Sequence, residues 1–208
     1  MIRLLLFFAV TTMLLCGCFS PPADQTRFYI LTPAKPAPTT TAVERDKVFL
    51  IGLRVTSAEY LRSKQMIVEL GPNQLRLSAA DQWEELPQAG FTRILTERIA
   101  QTLPDCQLVP LPLALTNQPE FILEIELISL QGRLQPRREA EVSAELRILD
   151  GSSRLLERAE LRQESPWIPA SGSDGYGELA AAESRAAAEL ADAIGAKILA
   201  CHRQYSGR

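Results

Sequence analysis

The stretch Phe121-Ile122-Leu123-Glu124-Ile125-Glu126-Leu127-Ile128-Ser129 alternates between oil and charge. Side chains on an extended chain point to opposite faces in turn, so Phe121, Leu123, Ile125 and Leu127 share one face, with Glu124 and Glu126 on the other. The pattern recurs where Ala140, Val142, Ala144, Leu146 and Ile148 alternate with Glu141, Ser143, Glu145 and Arg147. Asp150-Gly151 is a hairpin turn, and residues 155–162 return along the same sheet. Such a meander has one dry face and one wet face. The dry face has to be covered, and that requirement governs the rest of the chain.

Two segments have the helical spacing to cover it. Leu179, Ala182, Ala186, Leu190, Ile194, Ile198 and Cys201 fall on one stripe, behind the glycine-rich loop 171–177. Earlier, Ser78-Ala79-Ala80-Asp81 reads as a helix cap. It predicts a helix with Trp83 and Leu86 early, a kink at Pro87, then Phe91, Ile94, Leu95, Ile99 and Leu103, ended by Pro104. Further strands are predicted at 27–31, 48–55 and 106–109, with a hairpin of 65–70 and 74–77 around Gly71-Pro72-Asn73. Residues 34–42, rich in Pro and Thr, are expected to run extended over the surface. The sum is an α+β fold: a two-layer sandwich, mostly antiparallel sheet, with two main helices on one face.

The N-terminus sets the address. One positive charge, Arg3, precedes an apolar run over residues 4–15 that is broken only by Thr11 and Thr12. A bilayer-spanning helix needs about 17 to 25 apolar residues, so this run suits the core of a secretory signal instead. It ends in Leu15-Cys16-Gly17-Cys18, followed by Phe19-Ser20-Pro21-Pro22. That tetrad resembles the lipobox of bacterial lipoproteins, which implies cleavage between Gly17 and Cys18 and lipidation of Cys18 with palmitate-like acyl chains. Phe19, rather than Asp, after the cysteine implies forwarding to the outer membrane. A metal clip, a redox pair, or two buried residues of a core helix are the other readings of Cys16 and Cys18. A core helix, however, would not stop at Ser20-Pro21-Pro22. The division expected is a signal at 1–17, a lipidated tether at 18–26, one domain over 27–203 and a frayed tail at 204–208.

Composition narrows the chemistry. Loss of residues 1–17 removes one arginine and no acid, taking the formal charge from −3 to one unit more negative. A mildly acidic chain is a poor partner for nucleic acid. The single histidine, His202, sits by the C-terminus, expected to be solvated there, so neither a Ser-His-Asp triad nor a histidine zinc site is predicted. Gly172-Ser173-Asp174-Gly175 lacks the Gly-x-Ser-x-Gly of a nucleophile turn and reads as a capped helix start. Glu124, Glu126, Glu141 and Glu145 read as a solvated sheet face rather than acid–base pairs. No catalytic residue, metal or cofactor is expected beyond the covalent lipid on Cys18. Cys106 and Cys201 are expected to pair in an oxidising compartment, or to lie as separate buried thiols. Trp83 is expected in the core. Trp167, within Ser165-Pro166-Trp167-Ile168-Pro169, is either packed or a partner contact.

Several stretches carry a resemblance to a known family. Phe28-Tyr29-Ile30-Leu31-Thr32-Pro33 after the lipobox resembles the Tyr-Tyr-x-Leu-x-Pro opening of the PqiC/YmbA family, the auxiliary lipoproteins of ABC-type transporters. The segment 58–68, with Glu59-Tyr60-Leu61-Arg62 and Gln65-Met66-Ile67-Val68, is similar to that family's Pro-x-Tyr-Leu-Asp-Arg-Pro-Gln-Ile-Val. Gly71-Pro72-Asn73-Gln74-Leu75 and Trp83-Glu84-Glu85-Leu86-Pro87 follow in the family's order. Ser63, Lys64 and Gln82 depart from it. The resemblance implies a non-enzymatic outer-membrane lipoprotein on the periplasmic face. It also implies partners: a mammalian-cell-entry (MCE) domain protein and inner-membrane transporter components that move lipid across the periplasm. A freestanding envelope-integrity lipoprotein is the alternative, and either is compatible with a homo-oligomer.

Overall fold

The computed structural model describes residues 25–33, 48–112 and 118–205. The signal, Cys16, Gly17, Cys18, most of the tether and the segment 34–42 lie outside them. The described residues form eight strands and two α-helices. The strands are β1 (Arg27–Tyr29), β2 (Phe49–Ser57), β3 (Gln65–Gly71), β4 (Gln74–Trp83), β5 (Cys106–Pro110), β6 (Phe121–Arg133), β7 (Glu139–Asp150) and β8 (Leu155–Pro166). The helices are α1 (Pro87–Thr102) and α2 (Tyr176–Tyr205), and a short 3-10 turn, Glu59–Leu61, precedes β3.

β6 is the hub of one mixed sheet. One of its edges is shared end to end by β2 and β3, and the other pairs with β7. The longest ladders, β6–β7 and β7–β8, are antiparallel as expected. β2, however, runs parallel to both β5 and β6. The apolar run Ile51-Gly52-Leu53 is buried throughout, as suits a strand enclosed in a parallel sheet.

The helices lie together on one face: α1 over β2 and β5, α2 over β6, β7 and β8. Phe91, Ile94, Leu95 and Ile99 of α1, and Leu179, Leu190, Ile194 and Ile198 of α2, close the core against the inward residues of β6 and β7. Alanines at 140 and 144 of β7, and at 182, 186 and 187 of α2, are fully buried. Their small size permits close approach of helix and sheet. Trp83 is buried, as the sequence predicts. The hairpin at Gly71 also forms, with Asn73 at φ 62°, a left-handed conformation that Asn tolerates.

The first helix starts eight residues later than its cap signal suggests. Ser78 and Asp81 do bond to each other: the Asp81 amide donates to Ser78 Oγ at 2.9 Å, as in a helix cap, and the Ser78 hydroxyl donates to Asp81 Oδ2 at 2.8 Å. Those bonds close a wide bulge inside β4, where the register jumps from Ile67↔Leu77 to Gln65↔Gln82. The helix begins at Pro87, with Leu86 extended before it. A residue preceding proline is driven out of the helical region, and proline suits the first helical position. The other end of the chain is corrected too. The helix runs on to Tyr205, and the His202 ring stacks on Phe49 with centroids 4.2 Å apart rather than standing free in solvent.

Gly132 of β6 is where sheet and helix come closest. A Cβ there would lie 2.9 Å from Leu179 Cδ1 and 3.0 Å from Trp167 Cζ3. Gly132→Val is expected to lower stability by about 1 to 3 kcal/mol through overpacking. Gly71→Ala, with nothing within 4 Å of the added carbon, is expected to be near neutral. Thermal unfolding of the two variants side by side checks this contrast.

Candidate interaction surface

Among the described residues no helix covers the second face of the sheet, and its polar side chains satisfy one another. The pattern along β6 explains how. Ile128 is an extra residue opposite the step between Ala144 and Ser143, so the inward set shifts from 121, 123, 125 and 127 to Leu130 and Gly132. Ser129, Gln131 and Arg133 thereby join the open face. Tyr60, carried by the 3-10 turn, reaches across and donates its hydroxyl to the Ile128 carbonyl at 2.7 Å. Burial of that hydroxyl, with Glu141 and Glu69 nearby, pushes its pKa up to about 12, so it remains a donor at any physiological pH.

Beside Tyr60 the face is tightly knit. Ser129 Oγ lies 2.7 Å from Ser143 Oγ and donates to Glu141 Oε1 at 2.9 Å. Gln131 donates to Glu69 at 3.0 Å. Arg133 bridges Glu141 at 3.2 Å and Glu164 at 3.0 Å, while Arg162 reaches the same two carboxylates at 2.7 and 2.6 Å. Ser129, Gln131, Glu141 and Ser143 are each no more than 8% exposed, with no layer of described residues above them. Glu141, expected on a solvated face, is therefore buried by its own polar neighbours.

Towards the β2 side the lattice opens. Arg54 and Arg147 both hold Glu124, at 3.1 and 2.9 Å, and Arg158 holds Glu145 at 2.9 Å. A shallow hollow of about 270 Å³ lies among Arg54, Thr56, Glu124, Glu126, Glu145 and Arg147. Exposed pairs of this kind add little to stability. Their forked guanidinium donors are suited to recognising a complementary polar surface.

A third polar cluster sits at the start of β1. Arg27 at the start of β1 contacts Asp81 at 2.7 Å and also pairs with Asp174 of the loop before α2. Tyr29 donates its hydroxyl to Asp81 at 3.1 Å, and Ser78 supplies another bond. Asp81 is 3% exposed, so the bulge of β4 holds a buried carboxylate whose partners fasten the first strand to the body. The loop itself is a capped helix start as expected: Ser173 Oγ accepts from the Gly175 amide at 2.9 Å and Asp174 accepts from the Tyr176 amide at 3.4 Å.

Of the residues singled out in the sequence, Gly17 and Cys18 lie outside the described residues. Cys106 and Cys201 are both buried and both free thiols, the second of the two alternatives their sequence left open, with no disulfide between them. Burial, aided by Glu120, pushes the Cys106 thiol up to about 12, and burial raises Cys201 as well. Cys106 pairs with Phe49 in the β2–β5 ladder, and Cys201 precedes His202. The Phe49–His202 stack, rather than a covalent bridge, thus joins the helix end to this corner. A cavity of about 620 Å³ opens beside it, lined by Phe49, Leu103, Asp105, Glu120, Leu199 and His202 among others. His202 Nε2 is 3.9 Å from Glu120, beyond hydrogen-bond reach.

Trp167 is packed, one of the two readings its sequence left open. It is 4% exposed, packs on Gly132, and donates its indole N–H to the Gly175 carbonyl at 2.8 Å. Gly175, at φ 84°, presents that carbonyl from a conformation that disfavours a side chain. The exposed apolar residue of this loop is its neighbour Ile168, at 77%. One residue went unnoticed in the sequence. Glu183 lies on the buried side of α2, fully enclosed, with no hydrogen-bond partner for either carboxylate oxygen. Its signal was an acid four positions after Leu179 on the apolar stripe. Desolvation holds its pKa well above the ordinary 4.5.

Among the described residues no helix is long and apolar enough to cross a membrane, and no cluster of His, Cys, Asp and Glu is arranged to hold a metal. Compared with known proteins, residues 29–195 match the family model described as the ABC-type transport auxiliary lipoprotein component. No curated protein matches by sequence. The fold is similar to that of a Xanthomonas campestris protein assigned to the DUF330 family, at 14% identity and a TM-score of 0.71, over 88% of this chain and all of that one. It is also similar to the crystal structure of an uncharacterised protein, at 16% identity and a TM-score of 0.64, over 83% of this chain and 98% of the other.

Two outcomes are expected from this geometry. Because the folded chain holds the Glu183 proton above the unfolded value, stability from this source is complete below pH about 4.5 and declines as pH rises toward the folded pKa. Glu183→Gln should flatten that decline, and urea midpoints measured from acid to mildly alkaline pH read it directly. Cys106 and Cys201 should resist alkylation in the native chain and react on unfolding; a non-reducing gel showing an internal bridge would contradict the free thiols.

Proposed function

We propose, because this chain belongs to the family of ABC-type transport auxiliary lipoprotein components, that it is an outer-membrane lipoprotein serving an MCE-type intermembrane lipid transport system. Its role is to dock partners, not to catalyse. The observation that carries the reading is the match over residues 29–195 behind the Leu15-Cys16-Gly17-Cys18 tetrad.

Physical size supports the arrangement. Cleavage before Cys18 leaves a leash of nine residues before β1, with a reach of about 30 Å when extended. Acyl chains contribute roughly 0.8 kcal/mol per buried methylene, and two or more chains hold durably. The Arg27–Asp81 cluster then transmits the anchor to a rigid body. The uncovered sheet face, with Arg54 and Arg147 exposed around Glu124, offers the surface for an MCE-domain protein and, through it, the inner-membrane components. Lipid movement is driven elsewhere in the assembly.

Cys18→Ala is expected to move the protein from the membrane pellet to the soluble fraction, read by fractionation and by loss of acyl mass at the N-terminus. Native purification of the lipidated chain should capture an MCE-domain protein. Arg54→Glu with Arg147→Glu should lower that capture by on the order of tenfold while leaving circular dichroism unchanged. Membrane retention of the Cys18 variant would overturn the anchor. Recovery of the lipoprotein without transport components would favour the freestanding envelope role.

A further inference from the structure

β8 ends the sheet. It pairs with β7 alone, over residues 155–166, and its outer edge has no backbone partner among the described residues. Long unpaired edges are templates for another strand, and most proteins shield them with charges set against such pairing. The charges on this edge are set differently. Opposite Glu141, Ser143, Glu145 and Arg147 of β7, the open-face residues of β8 are Glu164, Arg162, Glu160 and Arg158. Read along the strand, they run positive, negative, positive, negative, and all four are exposed.

We infer that β8 is the docking edge for a second copy of this chain, paired antiparallel about a two-fold axis at Leu161. An axis perpendicular to the sheet keeps each face on its own side, so a residue can only face its mate across an even register. Centred on Leu161, that register sets Arg158 against Glu164 of the second copy and Glu160 against its Arg162, and repeats both pairs by symmetry. All four charges are matched. Centring on Glu160 or Arg162 instead sets like charges against each other, and centring on Ala159 or Gln163 matches only one kind of pair. Opposite charges directly across a ladder attract and like charges repel, so the alternation selects one register.

Three further features agree. Glu160 has no ion-pair partner among the described residues of its own chain, and this register supplies one. Leu161, half-buried on the helix side, meets its own copy at the axis. Leu155 and Ile168, 47% and 77% exposed at opposite ends of the strand, are brought beside each other, Leu155 of one copy near Ile168 of the other. The contact uses both edges and closes as an isologous dimer. It stands independently of the transport reading.

The test uses the full-length chain in detergent. Glu160→Arg alone sets Arg against Arg162, and Arg162→Glu alone sets Glu against Glu160, so native mass spectrometry should show each dimerising about tenfold or more weakly than the parent. Mixed, the two variants restore every pair, and a heterodimer should return. Leu161→Cys should cross-link to itself under mild oxidation. Gln163→Cys should not, because its mate is Ala159 and its own copy lies about 13 Å away along the strand. This cysteine pair keeps the test decisive if Arg162→Glu, which also loses Glu141, folds poorly. A parent chain monomeric at every concentration, single-charge variants that dimerise like the parent, or equal cross-linking at 161 and 163 would each overturn the inference.

Discussion

The alternation of side chains along β6, reset once at Ile128, is the constraint on which the remainder of the structure rests. Before the reset, Phe121 to Leu127 present alternate apolar groups to the helices; after it, Leu130 and Gly132 take over that duty. Without the extra residue, Ser129, Gln131 and Arg133 would point into the core. The bulge costs a ladder bond, and Tyr60 satisfies the carbonyl so exposed. Gly132, the last inward position, leaves room for Leu179 and Trp167, which fix where α2 crosses the sheet.

The two faces of the sheet solve the problem of buried polar groups in opposite ways. On the open face, Ser129, Gln131, Glu141 and Ser143 are buried by neighbours that also bond them, so desolvation is matched by hydrogen bonds and guanidinium charge. Under the helices, Glu183 is buried with nothing to bond, and it meets the same desolvation by keeping its proton. Arg98 and Asp192 clamp the two helices at their rim, where water still screens the pair.

In the proposed role, an anchored accessory subunit needs a firm attachment between leash and body and a surface free for partners. The bulge of β4 supplies the first: Asp81, sheltered at its base, gathers Arg27, Tyr29 and Ser78 and ties the first strand to the loop before α2. The open sheet face, which no helix of the described residues covers, supplies the other. The same sheet leaves the outer edge of β8 without a backbone partner among the described residues, so the proposed partner recognition and the inferred self-association draw on adjoining parts of one surface.

Periodicity made much of this legible. Strands β6, β7 and β8, the stripe of α2, the hairpin at Gly71 and the two-layer class follow from side-chain alternation alone, because local geometry decides which residues share a face. The Leu15-Cys16-Gly17-Cys18 tetrad and the motifs around Tyr29, Tyr60 and Trp83 likewise pointed to the family. Where identical local chemistry serves two structures, the sequence was silent: the Ser78–Asp81 bonds cap a helix or close a bulge equally well, and only Pro87 and the pairing of β3 with β4 choose between them. The parallel pairing of β2, the burial of Trp167 and Glu141, the stack of His202 on Phe49 and the isolation of Glu183 depend on residues far apart in the chain. Those were decided by tertiary structure, since burial and partnership are properties of what packs alongside and not of the neighbouring residues.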